Sequence, residues 1–112
     1  MFVFALISSL FILNQAKAAE EHDHMIMHET NDAFAPAMTK MHEEMGAVRP
    51  TGDIDVDFVQ GMIPHHQGAV DMAKIELEQG KDPEIKKFAA DIIKAQEAEI
   101  KMMNTWLRKH KK

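Results

Sequence analysis

Two short breaks divide most of this chain into three long segments, and this division limits the fold more than any other feature. The breaks are GAVRPTGD at 46–53 and GKDP at 80–83, both rich in residues that form turns and begin helices. The segments between them repeat apolar residues every three or four positions, the period of an amphipathic helix, and none alternates like a strand. The sequence therefore predicts an all-α fold, a small antiparallel bundle of three helices.

The first helix is expected over about 32–45. Asn31 is the candidate N-terminal cap, because its side chain can accept a hydrogen bond from a backbone N–H of the first turn. Pro36 is tolerated near the first turn, where its missing N–H costs little. Gly46 is expected to end the helix.

The second and third helices also have recognisable ends. The second is expected to start in the aspartate-rich stretch 53–57, because acidic side chains suit a helix N-terminus, and to stop at Gly80. For the third, Asp82 is the predicted cap and Pro83 the first helical residue, and the helix is expected to run to about His110.

The stretch MIPHHQG, 62–68, places a proline and a glycine around two adjacent histidines inside the second helix. Pro64 has no backbone N–H and its ring bends a helix. Because Phe58 and Met62 keep helical phase with His66, we favour one continuous helix with a kink near Pro64. A new helix that begins at Pro64 is the alternative.

Residues 1–30 are expected to lie outside the bundle. Residues 1–13 are almost wholly apolar, and Ala16 and Ala18 form the small-x-small pattern of an export cleavage site. We interpret 1–18 as a signal peptide, with a retained membrane anchor as the alternative. Residues 19–30 lack a sustained period and are interpreted as a mobile Met- and His-rich tail. The helical metal-binding domain would then span 31–112, in an exported or periplasmic protein.

Charge and cysteine content exclude several classes of protein. The formal net charge is -5, and the densest cluster of basic residues is the C-terminal RKHKK, where they suit the end of a helix. No nucleic-acid partner is therefore predicted. The chain has no cysteine, so its stability must come from helix packing or bound metal, without disulfides.

Helical phase puts polar and sulfur-bearing side chains on the apolar sides of all three helices, and we expect these sides to meet in one core. A buried His66 or Glu99 needs a partner, because leaving either unpaired costs about 1 to 3 kcal/mol. A contact between them could be a core hydrogen bond alone, or Glu99 and Gln96 could orient an imidazole behind a metal. The side chains concerned are Met38, Met41, His42 and Met45 in the first helix, Met62, His65, His66 and Met72 in the second, and Gln96, Glu99, Met102 and Met103 in the third.

The chemistry of these donors points to copper. Thioether sulfur favours Cu(I) and imidazole also suits copper, with silver as a soft mimic. Zinc would more usually bring Cys or three His, and di-iron bundles use Glu-x-x-His on core helices, a motif that is absent from both core helices here. The tail residues expected to capture copper in either oxidation state are His22, His24, Met25, Met27 and His28.

Other interpretations stay open from the residues alone. Methionine is a flexible gap-filler, so the chain could be a structural or oligomerising bundle without metal. Its methionines could also serve as sacrificial targets for oxidants. A copper or di-metal oxidoreductase is the main alternative among enzymes.

The residues 55–107, together with MTKMHEEM at 38–45, resemble the ferritin-like family catalogued as domain of unknown function three hundred and five. Its members include exported bacterial copper-binding proteins of the CopM type. The resemblance implies a periplasmic bundle, not an enzyme, that binds Cu(I) and also Cu(II) for sequestration or handover in copper tolerance, with a copper exporter or chaperone as partner. The ligands it implies are Met38, Met41, His42, Met45, Met62, His65, His66 and Met72, with Met102 and Met103 as further candidates. Longer members complete four helices, so a homodimer is an alternative to a core closed by one chain.

Overall fold

The structure, a computed structural model, describes residues 32–110. It contains three α-helices, α1 (Ala35–Ala47), α2 (Ile54–Gln79) and α3 (Pro83–His110), and these residues include no strand. The prediction of a small all-α bundle with three helices is confirmed. The predicted signal peptide (1–18), the tail (19–30) with its donors and the cap Asn31 lie outside the described residues. The ferritin-like relationship stays a prediction.

Two aspartates begin α2 and α3 as predicted. The Asp53 carboxylate accepts hydrogen bonds from the backbone N–H groups of Asp55 (3.0 Å) and Val56 (3.2 Å). The Asp82 carboxylate accepts one from the N–H of Glu84 (2.8 Å), directly before Pro83. Each side chain satisfies donors that have no partner within the first turn of a helix, which is why both starts could be predicted.

The ends of α1 differ from the prediction. The helix begins at Ala35 because Asp32 forms a local turn before it, in which its carboxylate accepts the N–H of Phe34 (2.9 Å) and its carbonyl accepts the N–H of Ala35 (3.1 Å). Gly46 does not stop the helix. The chain becomes extended at Val48 instead, with φ -65° and ψ 128°, a conformation that needs no glycine.

Helix α2 runs without interruption through Pro64, which is buried. The prediction of one helix, rather than a new start at Pro64, is confirmed. The kink stays a prediction.

Helix α2 is the central element, because α1 and α3 both pack against it. The side chain of Met41 in α1 lies directly over Gly68, and His66 contacts Glu99 in α3. Gly68 and His66 are two residues apart, which corresponds to about 200° around a helix. The Met41 and Glu99 contacts therefore lie on different faces of α2, while Phe34, directly before α1, lines one groove with residues of both α2 and α3.

The interior is small and does not follow a single stripe of α2. Val70, which is 1% exposed, is the most buried large side chain, whereas Phe58 and Phe88, both placed on apolar sides by helical phase, are 63% and 60% exposed. Helical phase alone does not identify which faces of a helix its neighbours cover. The buried apolar residues are Ala37, Val56, Val70, Ala73, Ala89 and Met103.

Within residues 32–110, no helix is both long enough and apolar enough to cross a membrane.

Candidate metal-binding site

The imidazole of His66 joins α2 to α3. Its Nε2 lies 2.5 Å from a carboxylate oxygen of Glu99, and only 17% of the His66 side chain is exposed. An ionised carboxylate can only accept, so Nε2 donates, and in a neutral imidazole Nδ1 then carries the lone pair. Nδ1 is buried and has no hydrogen-bond partner among the described residues. The hydrogen bond from Nε2 to Glu99 fixes the orientation of the imidazole ring, and Nδ1 is left available as a ligand nitrogen.

The contacts between α2 and α3 run in opposite directions along the two helices. His66 contacts Glu99 near the middle of α3, whereas Ala73, further along α2, lines a groove with Ala89 and Ile92 from the first part of α3. One turn back along α2 therefore corresponds to one turn forward along α3.

This register brings two methionines to the neighbourhood of the His66–Glu99 contact. Met62 precedes His66 by one turn and is half-buried, and Met103 follows Glu99 by one turn and is 5% exposed. We refer to His66, Met62 and Met103 as the α2–α3 donor group. Gln96, one turn before Glu99, has a buried side-chain oxygen with no partner among residues 32–110.

A second set of sulfur donors lies between α1 and α2. A Cβ added to Gly68 would be only 2.7 Å from Cγ of Met41 and 2.9 Å from its Cβ, so the thioether side chain is seated on the glycine. Met38 and Met45 are half-buried like Met41. Met72 follows Gly68 by about one turn on α2, is half-buried as well, and also lines the groove between α2 and α3. We refer to Met38, Met41, Met45 and Met72 as the α1–α2 donor group.

An ion pair holds α1 against α2 beside Met41. The Lys40 ammonium lies 2.8 Å from Glu44 and 3.7 Å from Asp71 of α2. The hydrogen bond to Glu44, helped by the negative charge of Asp71, raises the pKa of Lys40 above its usual range. This lysine keeps its positive charge next to the sulfur donors at every physiological pH.

The structure thus separates residues that the sequence grouped together. Met41 of α1 lies over Gly68, and His66 of α2 contacts Glu99 of α3, so these two donors make contacts on different faces of α2. That the candidate donors share one ion stays a prediction. Met103 is buried, whereas Met102 beside it is 59% exposed. His42 is exposed as well.

The two adjacent histidines face different environments. The ring centroids of His65 and His66 are 6.1 Å apart and the rings are tilted by 58°. His65 is exposed, while His66 is mostly covered by α3. Neighbouring positions on a helix point about 100° apart. Joint ligation of one ion by the two imidazoles stays a prediction.

The role of Gly68 could not be assigned from the sequence. A glycine inside a helical pattern indicates that another backbone or side chain approaches closely, and this was the available signal. The residue that approaches, Met41, could be identified only from the packing.

No group of three or more His, Cys, Asp or Glu side chains able to hold a metal occurs in the region that the structure describes. Residues 32–110 therefore hold no preformed cluster of three such side chains. Any ion held there by His66 needs sulfur or external ligands to complete its shell.

Comparison with known proteins agrees with the family predicted from the sequence. Residues 11–107 match the family described as Domain of unknown function (DUF305). The chain is also 46% identical over 57 residues to an uncharacterized protein of Acanthamoeba polyphaga mimivirus, in an alignment that covers 51% of this chain and 38% of that protein. Because the family match spans most of the sequence, the protein belongs to the DUF305 family.

Proposed function

We propose that this protein binds copper, mainly as Cu(I), and sequesters it or hands it over in copper tolerance. Copper is here the cargo of a binding protein, and thioether and imidazole side chains are its ligands. The resemblance to exported copper-binding proteins of the CopM type supports the same function. Export to the periplasm, and transfer to a copper exporter or chaperone, are parts of this proposal.

The observation that carries the proposal is the buried Nδ1 of His66. A hydrogen bond between His66 and Glu99 is expected whether or not metal binds, so this contact does not distinguish the two cases. A purely structural role leaves Nδ1 buried without a partner, at a cost of about 1 to 3 kcal/mol. A bound cation supplies that partner, and the Glu99 carboxylate behind the ring raises the basicity of the ligand nitrogen.

The donor set favours copper over zinc and iron. Zinc and iron sites depend on several imidazole, carboxylate or thiolate ligands, whereas the chain has no cysteine and residues 32–110 gather no three nitrogen or oxygen donors. The side chains near His66 that remain are the thioethers of Met62 and Met103. Neutral sulfur donors suit a monovalent soft ion, which makes Cu(I) the natural cargo and Ag(I) its mimic.

The test is an anaerobic Cu(I) titration of protein produced from the whole sequence, with X-ray absorption to count sulfur and nitrogen neighbours. His66→Ala should weaken Cu(I) binding by at least about tenfold, because it removes an oriented ligand. His110→Ala is the matched control, since that ring is exposed and stacked on Trp106 at 4.0 Å. Circular dichroism should show unchanged helix content in both variants.

A second pair of variants tests the sulfur ligands. Met103→Leu preserves volume and removes the thioether, so it should lower Cu(I) affinity and the sulfur count, while Met102→Leu should change neither. Wild-type affinity in both His66→Ala and Met103→Leu would exclude the α2–α3 donor group as a copper site.

A further inference from the structure

One side of α3 carries a regular line of residues, most of which are exposed. They lie alternately three and four positions apart, which is the spacing of the seam between two paired helices. Phe88 and Met102 in this line are 60% and 59% exposed, although both are large and apolar. We call this line the α3 stripe; it consists of Phe88, Asp91, Ala95, Ala98, Met102 and Thr105.

The second half of the stripe forms a hole. A groove of about 500 Å³ runs along α3, and its lining includes Met102, Thr105, Trp106 and Lys109. These four residues have the spacing i, i+3, i+4, i+7, which surrounds one inserted side chain in knobs-into-holes packing. The Trp106 ring is braced by His110, which stacks on it with an angle of 8° between the planes.

The first half of the stripe supplies a matching knob. Phe88 is 60% exposed at the edge of a groove that it lines with Ala73 of α2. It lies almost five turns before the hole, so it cannot reach the hole of its own helix. A second α3 that runs in the opposite direction would place each Phe88 opposite the other helix's hole. The same register sets Ala95 against Ala98 at the centre, where two small side chains allow the backbones to approach closely.

Charge complementarity supports this register. When Phe88 faces the hole of the second helix, Glu84 near the start of one α3 faces Lys109 near the end of the other, and both residues are exposed. The two-fold relation repeats the pair at the other end of the contact. The α3 stripe thus carries a projecting side chain, a hole and opposite charges that match one another under a two-fold relation. Such a surface fits a symmetric pair of identical chains better than an unrelated partner.

We propose that the α3 stripe binds the α3 stripe of a second copy of this chain, in opposite directions, to form a symmetric dimer. The pairing covers the exposed Phe88 and Met102 of both copies. It does not depend on copper, because none of its contacts uses His66 or the methionines of the two donor groups. The dimer and the copper proposal can therefore fail separately.

The test is the oligomeric state of protein produced from the whole sequence, measured by analytical ultracentrifugation over a range of concentrations with a copper chelator present. The wild type should dimerise reversibly. Phe88→Ser should raise the dimer dissociation constant by about tenfold or more, as expected when a central aromatic is removed from an interface. Phe58→Ser is the matched control, because Phe58 is 63% exposed on α2 and outside the stripe, and it should leave the dimer intact.

A charge exchange tests the register and the identity of the partner. Glu84→Lys should weaken the dimer by opposing two lysines at each end, and adding Lys109→Glu to the same chain should restore it. A wild type that stays monomeric, a dimer that Phe88→Ser leaves unchanged, equal loss in Phe58→Ser, or no restoration in the double variant would each overturn the proposal.

Discussion

Gly68→Ala is the substitution for which the structure gives the clearest physical expectation. The added Cβ would lie 2.9 Å from Cβ of Met41 and 2.7 Å from its Cγ. The Met41 sulfur can rotate away, but its Cβ is fixed to the backbone of α1. Relief of the clash therefore requires α1 to move away from α2.

Two opposing terms set the size of the effect. Alanine has a better helix propensity than glycine, a gain of up to about 1 kcal/mol inside a helix. Overpacking of a tight contact costs about 1 to 3 kcal/mol. At Gly61, also inside α2, a Cβ added by Gly→Ala has no atom within 4 Å, so only the gain in helix propensity applies. Gly68→Ala should therefore be less stable than Gly61→Ala by about 1 to 3 kcal/mol.

The assay is thermal and denaturant unfolding followed by far-ultraviolet circular dichroism. For a small domain, each kcal/mol corresponds to a shift of about 4–8 °C in Tm, so the two variants should be clearly separated. Met41→Ala added to Gly68→Ala should recover part of the loss, because it removes the atoms that clash. Equal or greater stability of Gly68→Ala compared with Gly61→Ala would refute the packing of α1 on α2 described above.

Three further outcomes follow from the structure. Hydrogen bonds from the N–H and hydroxyl of Thr51 lower the pKa of the Asp57 carboxyl below 3.8. The ionised carboxylate therefore stabilises the fold above that pH, and this contribution is lost as pH falls through the lowered pKa. Asp57→Asn should thus be less stable than wild type at neutral pH, and the difference should shrink in unfolding titrations at acid pH. Glu99→Leu should lower the free energy of unfolding by about 1 to 3 kcal/mol, because the Nε2 N–H of His66 loses its acceptor. It should keep the helix content and weaken Cu(I) binding by about 10- to 100-fold, because the orienting carboxylate is lost; an unfolded product would favour a purely structural contact with His66. Between pH 7 and pH 5, Cu(II) affinity should fall more than Cu(I) affinity, because imidazole takes up a proton near pH 6.5 and thioether does not; equal losses in competition titrations would contradict mixed ligation.

The start of a helix could be predicted from the sequence where a single capping side chain determines it. Asp53 and Asp82 each accept backbone N–H groups of the turn that follows, a property that a sequence displays directly. The start of α1 escaped prediction because the Asp32 carboxylate closes a turn before the helix. Such a competing local hydrogen bond is not encoded in helical periodicity.

The side chains that reach each other could be predicted only in part. A contact between His66 and Glu99 was expected because each needed a partner in an apolar stripe, and the structure contains it. The seat of Met41 on Gly68 was not expected, because phase gives the direction of a side chain on its own helix and not the helix that it faces. For a central helix with neighbours on two sides, that choice depends on the loops and on close packing.

The unusual composition of the stretch 62–68 follows from the two sides of α2. Gly68 and Pro64 are one turn apart and both buried, and Gly68, which has no side chain, admits Met41 of α1. His66 points to a different face of α2, toward Glu99, and His65 is left exposed. In the copper proposal, an ion held by Nδ1 of His66 takes sulfur ligands from across the α2–α3 contact. Met103, the buried methionine of α3, is the candidate that its position one turn after Glu99 favours.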